Sequence, residues 1–160
     1  MFLINLPINL NMKKQLFFLL VAIVALAGCA QQQDNSPFFI EYTFHQGGLK
    51  NYGNAISIEN SQFTAYNFTE SDDGYMAKKD SISVTLSSDE IANLRNTVNN
   101  SNFFSLQANY FDDSCFDGPT RSIEITSNGK SKSISVYCTS VDQLEPIFAA
   151  LYNLNAKYSA

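Results

Sequence analysis

Asn128-Gly129 stands between two runs in which polar and apolar residues alternate, residues 121–126 and 131–138. This dipeptide supplies the two positive-φ positions of a type I′ turn, whose twist matches that of the strands it joins. The segment therefore reads as a β-hairpin. A two-residue turn puts Ser127 opposite Lys130, and Ile123 opposite Ile134 on one face. The same register puts Cys138 opposite Pro119, four residues past Cys115.

Other strands announce themselves by the same alternation. Phe38, Ile40, Tyr42 and Phe44 alternate with Phe39, Glu41, Thr43 and His45, the pattern of a half-buried strand. Residues 46–54, with three glycines, read as a loop. Residues 55–59 and 62–68 read as strands turning at Asn60-Ser61, and residues 81–86 alternate through Ile82, Val84 and Leu86. Residues 69–80 are polar, with a turn at Asp72-Asp73-Gly74, and residues 110–119 read as an acidic loop.

Two segments read as helices. Ser87-Ser88-Asp89-Glu90 is a capping box, and Leu86 and Ile91 have the spacing of a hydrophobic staple. Ile91, Leu94 and Val98 then share one face, and 99–102 end the helix. Phe103, Phe104 and Leu106 follow as core residues. Leu144, Ile147, Phe148, Leu151 and Leu154 mark a closing helix, with Pro146 tolerable in its first turns. The expected fold is α+β: an antiparallel sheet of about six strands with two helices on one face, in the order strands, helix, hairpin, helix.

The N-terminal part has a different character. Met12-Lys13-Lys14 is a short basic start, and residues 16–26 are uninterruptedly apolar. Eleven helical residues span about 16 Å, short of a hydrocarbon core of about 30 Å. The pattern fits a signal peptide rather than a membrane span. Leu26-Ala27-Gly28-Cys29 resembles the lipobox of bacterial lipoproteins. That resemblance implies cleavage before Cys29 and diacylation of its thiol. Ala30 is not the aspartate that often retains lipoproteins on the inner membrane, so in a cell with two membranes the outer membrane is the expected destination. The expected division is 1–28 signal peptide, 29–37 lipidated tether, and 38–158 a single domain. Residues 1–11 are uncharged and delay the basic start, so they read as a start-site artefact ahead of Met12.

Charge and cysteine content narrow the functional classes. Removing Lys13 and Lys14 from the ten basic residues leaves eight against 15 acidic ones, a formal charge of −7. Such a chain lacks the basic footprint of a nucleic-acid binder, or the cluster that holds anionic headgroups. With Cys29 assigned to lipid, Cys115 and Cys138 remain, and an oxidising compartment favours a disulfide between them. The alternatives are two free thiols or a weak metal pair. With one histidine in the chain, a Cys/His zinc site is not expected.

The remaining chemistry is sparse. His45 borders a glycine loop, and a Ser-His-Asp triad would need it, but no Gly-x-Ser-x-Gly elbow occurs. Asp112, Asp113 and Asp117 with Ser114 offer oxygen ligands for calcium, without the spacing of an EF-hand loop. An acidic solvated turn is the plainer reading. No phosphate-cradling glycine motif is present, and no cofactor or metal site is expected. Asn67-Phe68-Thr69 matches a glycosylation sequon without implying use of it in a lipobox protein.

The domain resembles an uncharacterised family of small bacterial lipoprotein domains with no assigned activity. The likeness rests on Ile40-Glu41-Tyr42-Thr43, Asn102-Phe103-Phe104-Ser105-Leu106 and Tyr110. It continues through Asp117-Gly118-Pro119-Thr120, Ile123-Glu124-Ile125 and Asn128-Gly129-Lys130-Ser131-Lys132, and spans about residues 38–155. Many members carry cysteines and an extra proline in the first loop, where this chain has Gly47-Gly48-Leu49. The resemblance supplies no catalytic residues.

These features point to a non-enzymatic binding or interaction module, lipid-anchored to the envelope, with an envelope protein as partner. An inhibitor or immunity-type protein is its sharper form, since an acidic surface suits a basic target. A small hydrolase using carboxylates, or a structural component of an envelope assembly, is the alternative.

Overall fold

A computed structural model describes residues 36–48, 52–70 and 76–159. The signal segment, Cys29 and the Asp72-Asp73-Gly74 turn lie outside the described residues. Residues 36–160 make one compact unit.

The strands are β1 (Phe39–His45), β2 (Tyr52–Glu59), β3 (Gln62–Glu70), β4 (Met76–Thr85), β5 (Asn109–Phe111), β6 (Thr120–Ser127) and β7 (Lys130–Tyr137). The helices are α1 (Ser88–Asn100) and α2 (Glu145–Tyr158), with a 3-10 turn at Phe103–Ser105. All seven strands form one sheet in the order β4-β3-β2-β1-β6-β7-β5. The class is α+β, but the expected sheet of about six antiparallel strands is corrected on two counts. There are seven strands, and the sheet is mixed, because β5 runs parallel to β7. The order is also different: β5 stands between α1 and the hairpin. Three residues are too few to show an alternation. Their pairing partner is 26 residues downstream: Asn109 is opposite Ser135 and Phe111 opposite Tyr137.

Two boundaries shift as well. β2 starts at Tyr52 rather than Ala55, so Gly53 lies within a strand, opposite His45. A Cβ at Gly53 would collide with the Phe44 carbonyl and the Phe68 ring, so glycine here reflects close packing rather than a loop. β4 starts at Met76 rather than Ser81. Its early part is Ala77-Lys78-Lys79-Asp80, exposed and polar, which reads as loop by composition.

The hairpin has the register expected of it, with Ser127 opposite Lys130 and Ile123 opposite Ile134. Asn128 and Gly129 both have positive φ, 52° and 71°. On the core-facing side of the sheet, Ile40, Tyr42, Ile56, Ile58, Phe63, Ile123, Ile125, Ile134 and Val136 are buried. They join Leu94 and Val98 of α1 and Ile147, Phe148 and Leu151 of α2 in one cluster. Phe103 plugs the core after α1, with Phe104 and Leu106 packed partly against it. Lys132 from β7 donates to the Phe104 carbonyl at 3.2 Å and to the Leu106 carbonyl.

The capping box is complete. The Glu90 N–H donates to Ser87 Oγ at 3.3 Å, and the Ser87 N–H donates to Glu90 Oε2 at 2.8 Å. Glu90 also receives Lys157 Nζ at 2.8 Å and the Tyr158 hydroxyl at 2.9 Å, tying the start of α1 to the end of α2. The Lys157 ammonium, then the Ser87 N–H, hold its carboxyl down to about 2, from an ordinary 4.5. A depressed carboxyl stabilises the fold above its ordinary pKa, and that contribution is lost as pH falls through the folded value. Lys157 stands in solvent, so screening reduces the contribution to about 1 kcal/mol. Urea unfolding should therefore show a loss of that size between roughly pH 5 and pH 2. Glu90→Gln should be less stable at neutral pH and lack this part of the acid response; an unchanged acid response in the variant would contradict the assignment.

Candidate interaction surface

At the open end of the hairpin, the Cys138 N–H donates to the Pro119 carbonyl at 3.0 Å, the pairing the turn demands. Cys138 then takes a left-handed φ of 56° and leaves the strand direction. Cys115 and Cys138 are joined by a disulfide, with Cα atoms 6.1 Å apart. This lies within the usual range for such bonds. The disulfide closes residues 115–138 and ties the acidic loop after β5 to the end of β7.

Other contacts pin that loop. Gly118 lies against both sulfurs, where no Cβ could fit. Gly47, at φ 76°, sits under the Asp117 and Gly118 carbonyls, again with no room for a Cβ. The first loop and the disulfide loop therefore touch backbone to backbone across the end of β1. The Tyr137 hydroxyl accepts a long hydrogen bond from the Gly118 N–H at 3.4 Å and donates to the Cys115 carbonyl at 3.5 Å. The Asp112 carboxylate accepts from the Ser114 hydroxyl at 2.6 Å and the Ser114 N–H at 2.9 Å. These bonds hold its carboxyl below the usual carboxylate range.

Three aromatic residues at this end are exposed. Phe116 is 88% exposed, Phe111 64% and Tyr52 50%. Among the described residues the only other exposed large hydrophobic is Tyr152, at 38%. Tyr52 opens β2, Phe111 closes β5, and Phe116 lies in the disulfide loop. The sheet register links these ends: Gly53 is opposite His45, His45 opposite Thr120, Thr120 opposite Tyr137, and Tyr137 opposite Phe111. Phe111 shares the face of His45 and Tyr137, whereas Tyr52, next to Gly53, lies on the opposite face, so the rim proper is Phe111 and Phe116 with the exposed Asp112, Asp113 and Asp117 around them. The described chain begins at the other end of the sheet. There Arg95 holds the Ser36 carbonyl, and the Ser36 hydroxyl donates to Asn128 of the hairpin turn at 3.3 Å.

The other candidate groups are placed as follows. His45 packs its ring 4.9 Å from that of Phe68, and no described side chain hydrogen-bonds to it, so no triad assembles around it. Asp112 is turned back on Ser114, and no three His, Cys, Asp or Glu among the described residues are grouped to hold a metal ion. Among the described residues, the carboxyls with displaced pKa values, Glu90 and Asp112, are both shifted down, the direction opposite to that of a general acid. At the edge of the core, the hydroxyls of buried Tyr42 and exposed Tyr152 are hydrogen-bonded to each other, and burial pushes the Tyr42 phenol up. Arg121 pairs with Glu145 at 2.8 Å and lies over the Phe148 ring at 4.6 Å.

Sequence reasoning found the cysteine pair but not the exposed aromatics. Phe111 and Phe116 stand among Asp, Ser, Cys and Gly, where a large apolar residue is out of place. That local mismatch was the available signal.

Residues 54–155 match the family described as a domain of unknown function, DUF6438. That is well over half of the 160 residues. The chain belongs to this family. No curated protein matches it. The matched part of this DUF6438 domain includes the disulfide, Phe111 and Phe116. It starts inside β2, so β1 precedes it, although β1 is hydrogen-bonded between β2 and β6 in the middle of the sheet. Among the described residues of this DUF6438 chain, no helix is long and apolar enough to cross a membrane.

Proposed function

We propose that this DUF6438 protein is a lipid-anchored envelope protein, acting as a non-enzymatic binding module that docks a basic protein through its aromatic rim. One observation carries the docking reading: Phe116 is 88% exposed on a loop that a disulfide holds in place. Displaying a phenylalanine to water gains nothing for folding, whereas aromatic residues dominate the centres of interfaces. A loop already pinned loses little conformational freedom on binding.

The partner's charge follows from the surroundings. From residue 96 to residue 120 there is no Lys or Arg, while Asp112, Asp113 and Asp117 flank the two phenylalanines. A partner presenting an apolar pocket ringed by Lys or Arg complements this surface. An inhibitor or immunity-type protein acting on a basic exported enzyme has this character. The anchor reading rests on Leu26-Ala27-Gly28-Cys29 after an apolar run too short to span a membrane. The residue after the cysteine, Ala30, points to the outer membrane.

Photo-crosslinking tests the reading. A photoreactive residue at position 116 of the full chain, activated in cells, should capture a protein whose contacting face is basic. Phe111→Ser with Phe116→Ser should weaken the purified complex at least about 30-fold, the loss of roughly 2 kcal/mol expected at a hot spot. Raising the salt should weaken it further. Both positions are exposed, so the fold should persist. Crosslinks confined to other faces would reject the rim, and a partner with an acidic contacting face would reject the charge argument.

A further inference from the structure

A second feature lies on the core-facing side of the sheet, away from the rim. Between β2, β3 and β4 and the C-terminal end of α2 is a cavity of about 360 Å³. That is at the small end of the range for ligand sites, roughly 300–1,000 Å³. We infer that this cavity binds a short neutral saccharide.

The sheet is irregular where the cavity forms. Ala65 pairs with Ile82 and Asn67 with Lys79, so Tyr66 of β3 faces two residues of β4, Asp80 and Ser81. Asp80 takes a left-handed φ of 50°. Such a bulge breaks the ladder and re-aims the side chains beside it. α2 ends at Tyr158, and Asn155, Tyr158 and Ser159 form the cavity's other wall.

The lining decides the ligand's chemistry. Asn54 and Asn67 are opposite one another on β2 and β3, and Asn155 faces them from α2. An amide side chain offers a donor and an acceptor side by side, which suits a hydroxyl able to do both. No Lys or Arg is among the described lining residues, which favours a neutral ligand over a phosphate or carboxylate. The one charged lining residue, Asp80, is exposed at the mouth and would repel an anion. Ile82, half-buried, adds an apolar surface. Sugar rings combine these demands: hydroxyls of both polarities around the edge, and C–H groups on the face.

The test uses the full chain, purified in detergent, with N,N′-diacetylchitobiose and maltose as probes and titration calorimetry as the readout. At least one probe should bind with a dissociation constant near roughly 1 mM. Asn67→Trp, at an exposed position that fills the mouth, should weaken binding at least tenfold while leaving the circular dichroism unchanged. Asn155→Ala should weaken binding less, and serves if the tryptophan variant does not fold. Absence of binding by both sugars in the parent would overturn the inference. So would unchanged affinity in both variants, or binding of galacturonate or of the neutral tripeptide Ala-Gly-Ala as tight as that of the sugars.

Discussion

Cys29→Ser should abolish incorporation of labelled palmitate and leave the protein uncut, at precursor length. The thiol is the acyl acceptor in the proposed modification, and a serine hydroxyl does not replace it. The consequence for location is also large. A single acyl chain gives only marginal, reversible membrane binding, and stable anchoring takes more than one chain. If the segment before Cys29 is removed as proposed, the remaining chain has a formal charge of −7, which does not attract anionic headgroups. Metabolic labelling followed by fractionation measures both effects. Normal palmitate incorporation by the variant would refute the lipid assignment. A wild-type protein found only in the inner membrane would refute the sorting argument alone.

Breaking the Cys115–Cys138 bond should destabilise the domain by about 2–4 kcal/mol. The bonded residues are 23 positions apart, so the bond removes considerable freedom from the unfolded chain. Its loss also releases the contacts that pin the loop: Gly118 against the sulfurs, and Gly47 beneath the Asp117 and Gly118 carbonyls. Urea unfolding with and without reductant measures the loss, and Cys115→Ser with Cys138→Ser should reproduce the reduced protein. Intact mass of the unreduced protein should lie two hydrogens below that of the dithiol. Identical urea midpoints for the reduced and oxidised forms would show that the bond contributes nothing. The same variant separates stability from display. If the rim works because it is pre-ordered, partner affinity should fall under conditions where the domain is still fully folded.

Local chemistry explains which parts of the structure could be anticipated. Asn128-Gly129 set the register of β6 and β7, because a two-residue turn leaves one pairing that keeps Ile123 and Ile134 on the same side. Ser87 and Glu90 marked the start of α1, because the box satisfies backbone donors within four residues. The disulfide was expected from cysteine number, the compartment the lipobox resemblance implies and the hairpin register together. Each of these signals spans a short stretch of chain, or one pairing that a turn dictates.

Tertiary structure decided the rest. β5 exists only because Asn109-Tyr110-Phe111 meets the free edge of β7, and parallel pairing requires a partner brought from elsewhere in the chain. The early part of β4 is polar on both sides, and is a strand because β3 supplies its hydrogen bonds rather than because it buries a face. Gly47, Gly53 and Gly118 look alike in sequence, yet each is required by a different backbone, ring or sulfur at close approach. The exposure of Phe111 and Phe116 was equally hidden, since a phenylalanine in sequence reads as core until the packed fold shows which ones the core has no room for. Asn54, Asn67 and Asn155 carry no mutual spacing at all, and they meet because strand pairing and the end of α2 bring them to one cavity. The sequence by itself thus determined the hairpin turn, the cap of α1 and the cysteine pair available for a crosslink, whose causes are local. Which surfaces remain open for binding depends on the long-range packing that covers all the others.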